Sequence, residues 1–204
     1  MTASKIFCLG FQKTGTTSMA VFFETMGLRV AGYNNFRDME KGEISDAAVL
    51  KHAIEIMKYH DCAQDTPWFL LYKELDQAFP GSKFIHVVRD TDSWIKSATN
   101  HFKHYPKNFH TWIYGSAYPC GNEQSWIETY ERHNRDVRVY FADRKNDYLF
   151  LKLEEVVERS EDIGRFIGHE GAIPAWPHAN KNAENTKRRF SQRVKSRLVK
   201  AFRA

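Results

Sequence analysis

The chain has 204 residues, of which 42% are hydrophobic and 27% are charged, a composition typical of a soluble globular domain. No apolar run reaches the roughly 20 residues that a membrane helix needs, and the start of the chain lacks the pattern of a signal peptide or an anchor. Three cysteines without regular spacing exclude a disulfide framework, and no Cys/His cluster has the spacing of a zinc site. We therefore expect one cytoplasmic domain over residues 1–204.

Apolar strand patterns alternate with helical periodicity along the chain. We predict strands over residues 5–9, 29–31, 61–64 and 83–88, and helices over residues 16–26, 46–59, 68–79 and 91–102. Alternation of this kind implies parallel strands joined by right-handed crossovers. The predicted fold class is α/β, a three-layer sandwich with a central parallel sheet and helices on both faces.

The first strand leads into a glycine-bounded loop and then a helix. Residues 10–18 read Gly-Phe-Gln-Lys-Thr-Gly-Thr-Thr-Ser, and the spacing of Gly10 and Gly15 is that of the phosphate-binding loop Gly-x-x-x-x-Gly-Lys-[Ser/Thr]. Backbone N–H groups and the helix N-terminus predict an anion site there. Thr16 stands where a nucleotide triphosphatase has lysine, and the loop's lysine is Lys13. This difference argues against ordinary ATP or GTP hydrolysis.

A second anion site is predicted where the strand over residues 83–88 ends. Arg89 follows this strand directly, and Ser97 lies eight residues later, about two turns along the next helix. The planar fork of arginine makes paired, charge-assisted hydrogen bonds to phosphate oxygens. The alternative is that Arg89 forms an ion pair with Asp92 and that Ser97 is a surface hydroxyl.

These motifs resemble those of sulfotransferases that use 3′-phosphoadenosine 5′-phosphosulfate (PAPS). Gln12-Lys13-Thr14-Gly15-Thr16-Thr17 is similar to their 5′-phosphosulfate loop, and Arg89 with Ser97 is similar to their 3′-phosphate pair. Residues 126–141, 149–155, 163–168 and 177–182 resemble later segments of the compact bacterial-type members. The resemblance covers nearly the whole chain and implies a P-loop-like fold.

The resemblance also implies the reaction and the site. A sulfuryl group would move in line from PAPS to a hydroxyl of a small acceptor, leaving 3′-phosphoadenosine 5′-phosphate (PAP), without a metal. The cofactor-binding residues it implies are Gln12, Lys13, Thr14, Gly15, Thr16, Thr17, Ser18, Arg89, Ser97, Asn180 and Lys181. Lys13 would also act in catalysis by neutralising the leaving phosphate.

The general base is expected to be Asp65, which stands where a strand ends and a helix begins. Some branches of the family use a carboxylate in this region and others use a histidine. The alternative role for Asp65 is that of a helix N-cap, because Pro67 follows closely. His60, His101 and His104 are the reserve candidates for the base.

Two segments stand apart from this pattern. Residues 101–119 are rich in aromatic side chains and are interpreted as a loop, either an acceptor-binding lid or a packed loop that covers the core. Residues 184–203 are strongly basic with apolar residues every four positions, which predicts an amphipathic helix that docks on the domain. The net charge of +5 is too modest to indicate a nucleic-acid partner, and no membrane partner is expected.

Two other functions remain open at this point. The first is a P-loop small-molecule kinase, in which Asp90 would bind magnesium. The second is a non-catalytic nucleotide-binding module. The sequence does not identify the acceptor, and it leaves a homodimer open.

Overall fold

The computed structural model describes residues 4–177. Its strands are β1 (Ile6–Cys8), β2 (Val30–Ala31), β3 (Cys62–Ala63), β4 (Lys83–Val88) and β5 (Tyr148–Lys152). Its α-helices are α1 (Thr16–Thr25), α2 (Asp46–Met57), α3 (Tyr72–Ala78), α4 (Thr91–Phe102), α5 (Asn108–Tyr114), α6 (Glu123–Tyr140) and α7 (Ser160–Phe166). Short 3₁₀ helices cover Tyr33–Lys41, Trp68–Leu71 and Leu153–Glu155.

The five strands form one parallel sheet in the order β2-β3-β1-β4-β5. Parallel strands point the same way, so their carboxyl ends lie along one edge of the sheet, where ligands bind in open α/β folds. The phosphate-binding loop follows β1, Asp65 follows β3 and Arg89 follows β4. The sheet therefore brings the three predicted regions to one edge, with the loop in the middle.

The two faces of the sheet carry separate cores because side chains alternate along each strand. On one face, Phe7 and Phe84 pack with buried residues of α2 to α6 in the larger cluster. On the other face, Cys8 and Ile85 pack with α1 and α7. Helices on both sides of a parallel sheet confirm the predicted three-layer α/β class.

The predicted loop over residues 101–119 contains a helix, which corrects that interpretation. Phe109 and Ile113, four residues apart, lie on one buried stripe of α5, and His110 and Tyr114 lie on the next. Gly115, at φ 71°, ends the helix. The single helix predicted over residues 68–79 is also divided, into a 3₁₀ turn and α3.

Two further findings bear on the expectations from sequence. Among residues 4–177, no helix combines the length and the apolar character that crossing a membrane requires. The predicted basic helix over residues 184–203 and the predicted cofactor residues Asn180 and Lys181 lie outside the described residues.

Candidate active site

The loop between β1 and α1 has the shape of an anion cradle. A Cβ atom on Gly10 would lie 2.5 Å from the carbonyl oxygen of Val87, so only glycine fits beside β4. Gly15, at φ 89°, turns the chain into α1. No side chain of residues 4–177 caps this helix, and its first turn carries no acidic residue. The helix N-terminus therefore presents N–H groups and a positive dipole end to an anion.

Buried aromatic residues fix the position of this loop through hydrogen bonds. The indole N–H of Trp94 donates to the carbonyl oxygen of Gln12 over 2.9 Å. The Gln12 carboxamide donates to the hydroxyl of Tyr114. Trp94 itself stacks on Tyr130 with ring centroids 4.1 Å apart. The loop is thus fixed by α4, α5 and α6, and the side chain of Gln12 is directed into the core.

Thr14 does not line the cavity described below, so it lies apart from the other predicted residues of the loop. Its hydroxyl donates to the carbonyl oxygen of Phe11 over 2.6 Å, and its backbone N–H also donates to that oxygen, over 3.2 Å. Both groups are therefore engaged within the loop, which closes the turn before Gly15.

Lys13 and Asp65 lie in the same cavity, at neighbouring strand ends. Asp65 accepts hydrogen bonds from the backbone N–H of Thr66 over 2.8 Å and, more weakly, from the hydroxyl of Thr16 over 3.5 Å. Burial raises the pKa of Asp65, although these hydrogen bonds and the charge of Lys13 oppose the rise. Burial also lowers the pKa of Lys13, opposed by the charge of Asp65. Each charge therefore favours the ionised form of the other.

The alternative role of Asp65 as an N-cap is not what the structure shows. The following 3₁₀ helix has Pro67 at its N-cap position and no side-chain cap among the described residues. The carboxylate bonds to its own neighbour's N–H instead, which leaves it at the cavity wall.

Arg89 is held by its backbone, which leaves its guanidinium facing the loop. The hydroxyl of Tyr130 accepts from the N–H of Arg89 and donates to its carbonyl oxygen, both over 2.8 Å. One guanidinium N–H donates to the carbonyl oxygen of Lys13 over 3.4 Å. No carboxylate of residues 4–177 forms an ion pair with Arg89, Asp92 included. Ser97, half-buried on α4, lines the same cavity.

Most of the predicted residues line one cavity of about 520 Å³. Its lining includes the predicted residues Gln12, Lys13, Gly15, Thr16, Thr17, Ser18, Asp65, Arg89 and Ser97. The lining residues that sequence analysis did not select include Tyr33, Glu40, Lys107, Phe109 and Leu153. Tyr33 could have been found as the residue that follows the end of β2 by two positions, whereas nothing in the sequence singled out Glu40.

A larger concavity, of about 1070 Å³, lies between α6 and the outer strand β5. Arg89 borders it, but no other residue of the predicted site does. We therefore assign the site to the smaller cavity, where the polar groups converge.

The reserve histidines are distributed differently. His101 lines the cavity. His60 precedes β3, at the opposite edge of the sheet from Asp65, and its ring nitrogen bonds to the carbonyl oxygen of Ile56. His104 packs against Tyr118 and does not line the cavity.

Comparison with known proteins adds a family to this geometry. The chain matches the sequence model of the sulfotransferase domain over residues 5–121. No curated protein matches the sequence.

Two sulfotransferases and a sugar kinase are among the solved structures that resemble the fold. A sulfotransferase from Alicyclobacillus acidocaldarius has 13% identity and a TM-score of 0.55, with 85% of each chain covered. The sulfotransferase domain from the curacin biosynthetic pathway has 12% identity and a TM-score of 0.51, covering 84% of this chain and 76% of that one. A sugar kinase from a Janibacter species has 16% identity and a TM-score of 0.51, covering 85% of this chain and 99% of that one.

Structural similarity at such low identity shows the fold alone, and the fold is common to sulfotransferases and kinases. The domain match is stronger evidence for the family, because it spans more than half of the chain. It includes the predicted residues Lys13, Asp65, Arg89 and Ser97. The chain belongs to the sulfotransferase family and is a transferase.

Proposed function

We propose that this protein transfers a sulfuryl group from PAPS to a hydroxyl group of a small acceptor. The observation that carries the proposal is the convergence of two anion sites and one half-buried carboxylate in a single cavity. The first anion site is the α1 N-terminus with Lys13, and the second is Arg89 with Ser97. A nucleotide with phosphates on both its 5′ and 3′ positions would use both sites.

The residues present fit such a nucleotide. The cradle depends on Gly10 and Gly15, where a Cβ would meet Val87 or Leu153 at less than 3 Å. Both glycines therefore let the loop pack closely against its neighbours in this shape. Thr16, Thr17 and Ser18 would hold the 5′-phosphate, and Arg89 and Ser97 would hold the 3′-phosphate. An apolar surface for the adenine base of the nucleotide is offered by three further lining residues, Leu153, Val157 and Trp176.

When bound, PAPS supplies the sulfuryl group and a phosphate that leaves. The chain's own residues supply the rest. Lys13 neutralises the charge that develops on the leaving phosphate. Asp65 accepts the proton of the acceptor hydroxyl, and its raised pKa makes it a better base than an ordinary carboxylate. Because Lys13 provides the positive charge, we propose that the reaction needs no metal.

The kinase alternative is weakened by the position of Asp90. Its carboxylate accepts from the backbone N–H of Ser93 over 2.9 Å and so caps α4. The same side chain would have to bind magnesium in a kinase.

The three cysteines are free, which supports the cytoplasm as the place where the protein acts.

Incubation with sulfur-labelled PAPS and a metabolite extract tests the proposal. We expect label in an acceptor product, retention of transfer in the presence of a chelator, and loss of transfer in Lys13→Ala. The matched control is Lys103→Ala, because Lys103 also has a left-handed backbone, at φ 50°, and does not line the cavity. Magnesium-dependent transfer of phosphate from labelled ATP, with no sulfur transfer, would establish the kinase instead.

A further inference from the structure

The sheet order divides the cavity into two halves. The nucleotide sites follow β1 and β4, and Leu153 follows β5, so this half lies on one side of the phosphate loop. Asp65 follows β3 on the other side, and Tyr33 follows β2 beyond it. Under the proposed function, the acceptor must reach Asp65 without displacing the nucleotide. The half beyond β3 is therefore the acceptor subsite.

A hydrogen-bonded chain of polar groups forms the wall of this half. The ammonium of Lys107, which directly precedes α5, donates to the hydroxyl of Tyr33 over 2.8 Å. That hydroxyl donates to the carboxylate of Glu40 over 3.2 Å. Glu40 also accepts from the backbone N–H of Asn108 over 2.8 Å. Phe109 supplies an apolar surface beside these groups.

The unused hydrogen-bond donors in this wall belong to the ammonium of Lys107. Each carboxylate oxygen of Glu40 already accepts one hydrogen bond. An ammonium has three donors, and that of Lys107 uses one, on Tyr33, among the described residues. No carboxylate of residues 4–177 forms an ion pair with it.

The charges along the cavity lead to the same conclusion. The described lining carries three positive charges, on Lys13, Arg89 and Lys107, and two carboxylates. Of these carboxylates, Asp65 is the proposed base, and Glu40 accepts hydrogen bonds from Tyr33 and Asn108. The proposed function uses Lys13 and Arg89 on the nucleotide. Lys107 is half-buried on the acceptor side, where a charge-assisted bond to a ligand is less screened by solvent than at the surface.

We propose that the acceptor carries an anionic group, such as a carboxylate, and that Lys107 binds it. This inference rests on the proposed function and specifies its substrate class. The acceptor would place its hydroxyl at Asp65 and its anionic group at Lys107. An amine-bearing acceptor would instead place a second positive charge beside the ammonium of Lys107.

Fractionation of a metabolite extract by charge tests the substrate class. Ion exchange at neutral pH gives anionic, neutral and cationic pools, and each is incubated with the protein and sulfur-labelled PAPS. We expect labelled product from the anionic pool. Label from only the neutral or the cationic pool would overturn the inference and leave the proposed function standing. Label from no pool would overturn the proposed function itself.

Variants at Lys107 test its role on the acceptor isolated from the anionic pool. Lys107→Gln should raise the acceptor KM at least tenfold and leave the affinity for PAP unchanged. Lys107→Arg keeps the positive charge, so its acceptor KM should stay close to that of wild type. The matched control is Lys51→Gln, an exposed lysine of α2 outside the cavity. A KM within twofold of wild type in Lys107→Gln would overturn the assignment.

Melting temperatures show whether each variant is folded, since Lys107 is the N-cap residue of α5. If Lys107→Gln does not fold, the wild-type protein supplies the measurement. At saturating PAPS, the acceptor KM should rise with ionic strength, because salt screens the attraction between an anion and a partly exposed cation. A KM that does not change with salt would contradict the proposal.

Discussion

Lys13 and Asp65 share a backbone conformation that is rare outside glycine. Among residues 4–177, the non-glycine residues with positive φ are Lys13 at 73°, Asp65 at 72° and Lys103 at 50°. This conformation costs an L-residue roughly 1–2 kcal/mol, and it persists where surrounding structure enforces it. Two of these residues face one cavity from neighbouring strand ends. Their strained geometry supports a functional role for both.

Asp65→Asn separates the base from a structural role. Asparagine tolerates a left-handed backbone and keeps an oxygen for the N–H of Thr66, but it cannot accept the acceptor's proton. We expect the rate of transfer to fall roughly 10²–10⁴-fold, as losses of a general base do. The affinity for PAP, measured by calorimetry, should be unchanged. A near-normal rate would remove Asp65 from the mechanism and leave His101 as the next candidate.

The same variant has a predicted effect on stability. The folded-state pKa of Asp65 is raised, so its contribution is favourable at low pH and is lost as the pH rises through that pKa. At neutral pH, the buried charge destabilises the fold. Asp65→Asn should therefore have a higher unfolding midpoint than wild type at pH 7, and the difference should shrink toward pH 3. A lower midpoint at pH 7 would contradict burial as the cause of the shift.

Arg89→Ala tests the 3′-phosphate site. Its guanidinium has no carboxylate partner among the described residues, so it remains available to a phosphate. The variant should bind PAP more weakly by about 1.5–3 kcal/mol, the strength of a charge-assisted hydrogen bond, and bind AMP almost as wild type does. Lys96→Ala, an exposed position on α4, is the control. Equal losses for PAP and AMP would show that Arg89 does not read the 3′-phosphate.

At the scale of elements, the phosphate loop depends on its contact with β4. In Gly10→Ala, the new Cβ would lie 2.5 Å from both the Val87 carbonyl oxygen and the Thr14 hydroxyl oxygen. Backbone must move to relieve this overlap, so we expect a loss of roughly 1–3 kcal/mol in the free energy of unfolding, as overpacking costs. Binding of PAP should weaken as well, because the loop shifts. Denaturant unfolding and calorimetry measure the two effects.

Gly42→Ala is the matched control for this prediction. Gly42 follows the 3₁₀ helix Tyr33–Lys41 at φ −131°, and a Cβ there would meet nothing within 4 Å. Its stability and its PAP affinity should stay close to wild type. If Gly10→Ala behaved like Gly42→Ala, the close approach of the loop to β4 would not constrain the site.

Elements with strong local signals could be predicted from the sequence. Strand β4 and helix α4 have the predicted bounds, because a run rich in β-branched and aromatic residues ends at Val88 and Asp90 then caps the helix. Helix α5 was missed because its aromatic density and flanking prolines resemble an irregular loop. The residues proposed to bind the nucleotide were selected from motifs, whereas those proposed for the acceptor depend on contacts between α5 and the segment Tyr33–Lys41, such as Lys107 with Tyr33. Such contacts leave no periodic signal.

At the scale of the whole molecule, the core around the site contains neutral histidines. Burial lowers the pKa of His86 to about 3, and those of His110 and His133 to about 4. His133 bonds to the carbonyl oxygen of Leu9, and His86 bonds to Tyr148 and Asn134. The rings of His86 and His133 lie 5.8 Å apart, so a charge on one disfavours a charge on the other. The fold therefore requires neutral imidazoles at its centre.

These depressed pKa values predict acid sensitivity in a defined window. The stability that they contribute is present above the ordinary histidine pKa of 6.5, and it is lost as the pH falls toward about 4. Each histidine contributes a slope of about 1.4 kcal/mol per pH unit in this window. The carboxylate of Asp61 has a pKa of about 2, so its contribution is lost only at lower pH. The raised pKa of Asp65 makes the free energy of unfolding change with pH in the opposite direction. It therefore offsets part of the change that one histidine causes.

Denaturant unfolding at pH 7.5, 6.5 and 5.5 measures this slope. We expect the free energy of unfolding to change little between the first two values and to fall steeply between the last two. His110→Gln is the diagnostic variant, because a carboxamide can still donate to the carbonyl oxygen that His110 contacts, at Ala117, yet has no titratable proton. Loss of ring packing against Phe102 and Trp126 should lower its stability at every pH. The slope of its free energy of unfolding against pH, however, should be smaller than that of wild type by the contribution of one histidine. A flat profile between pH 6.5 and 5.5, or an unchanged slope in His110→Gln, would show that buried neutral histidines do not control the acid stability of this fold.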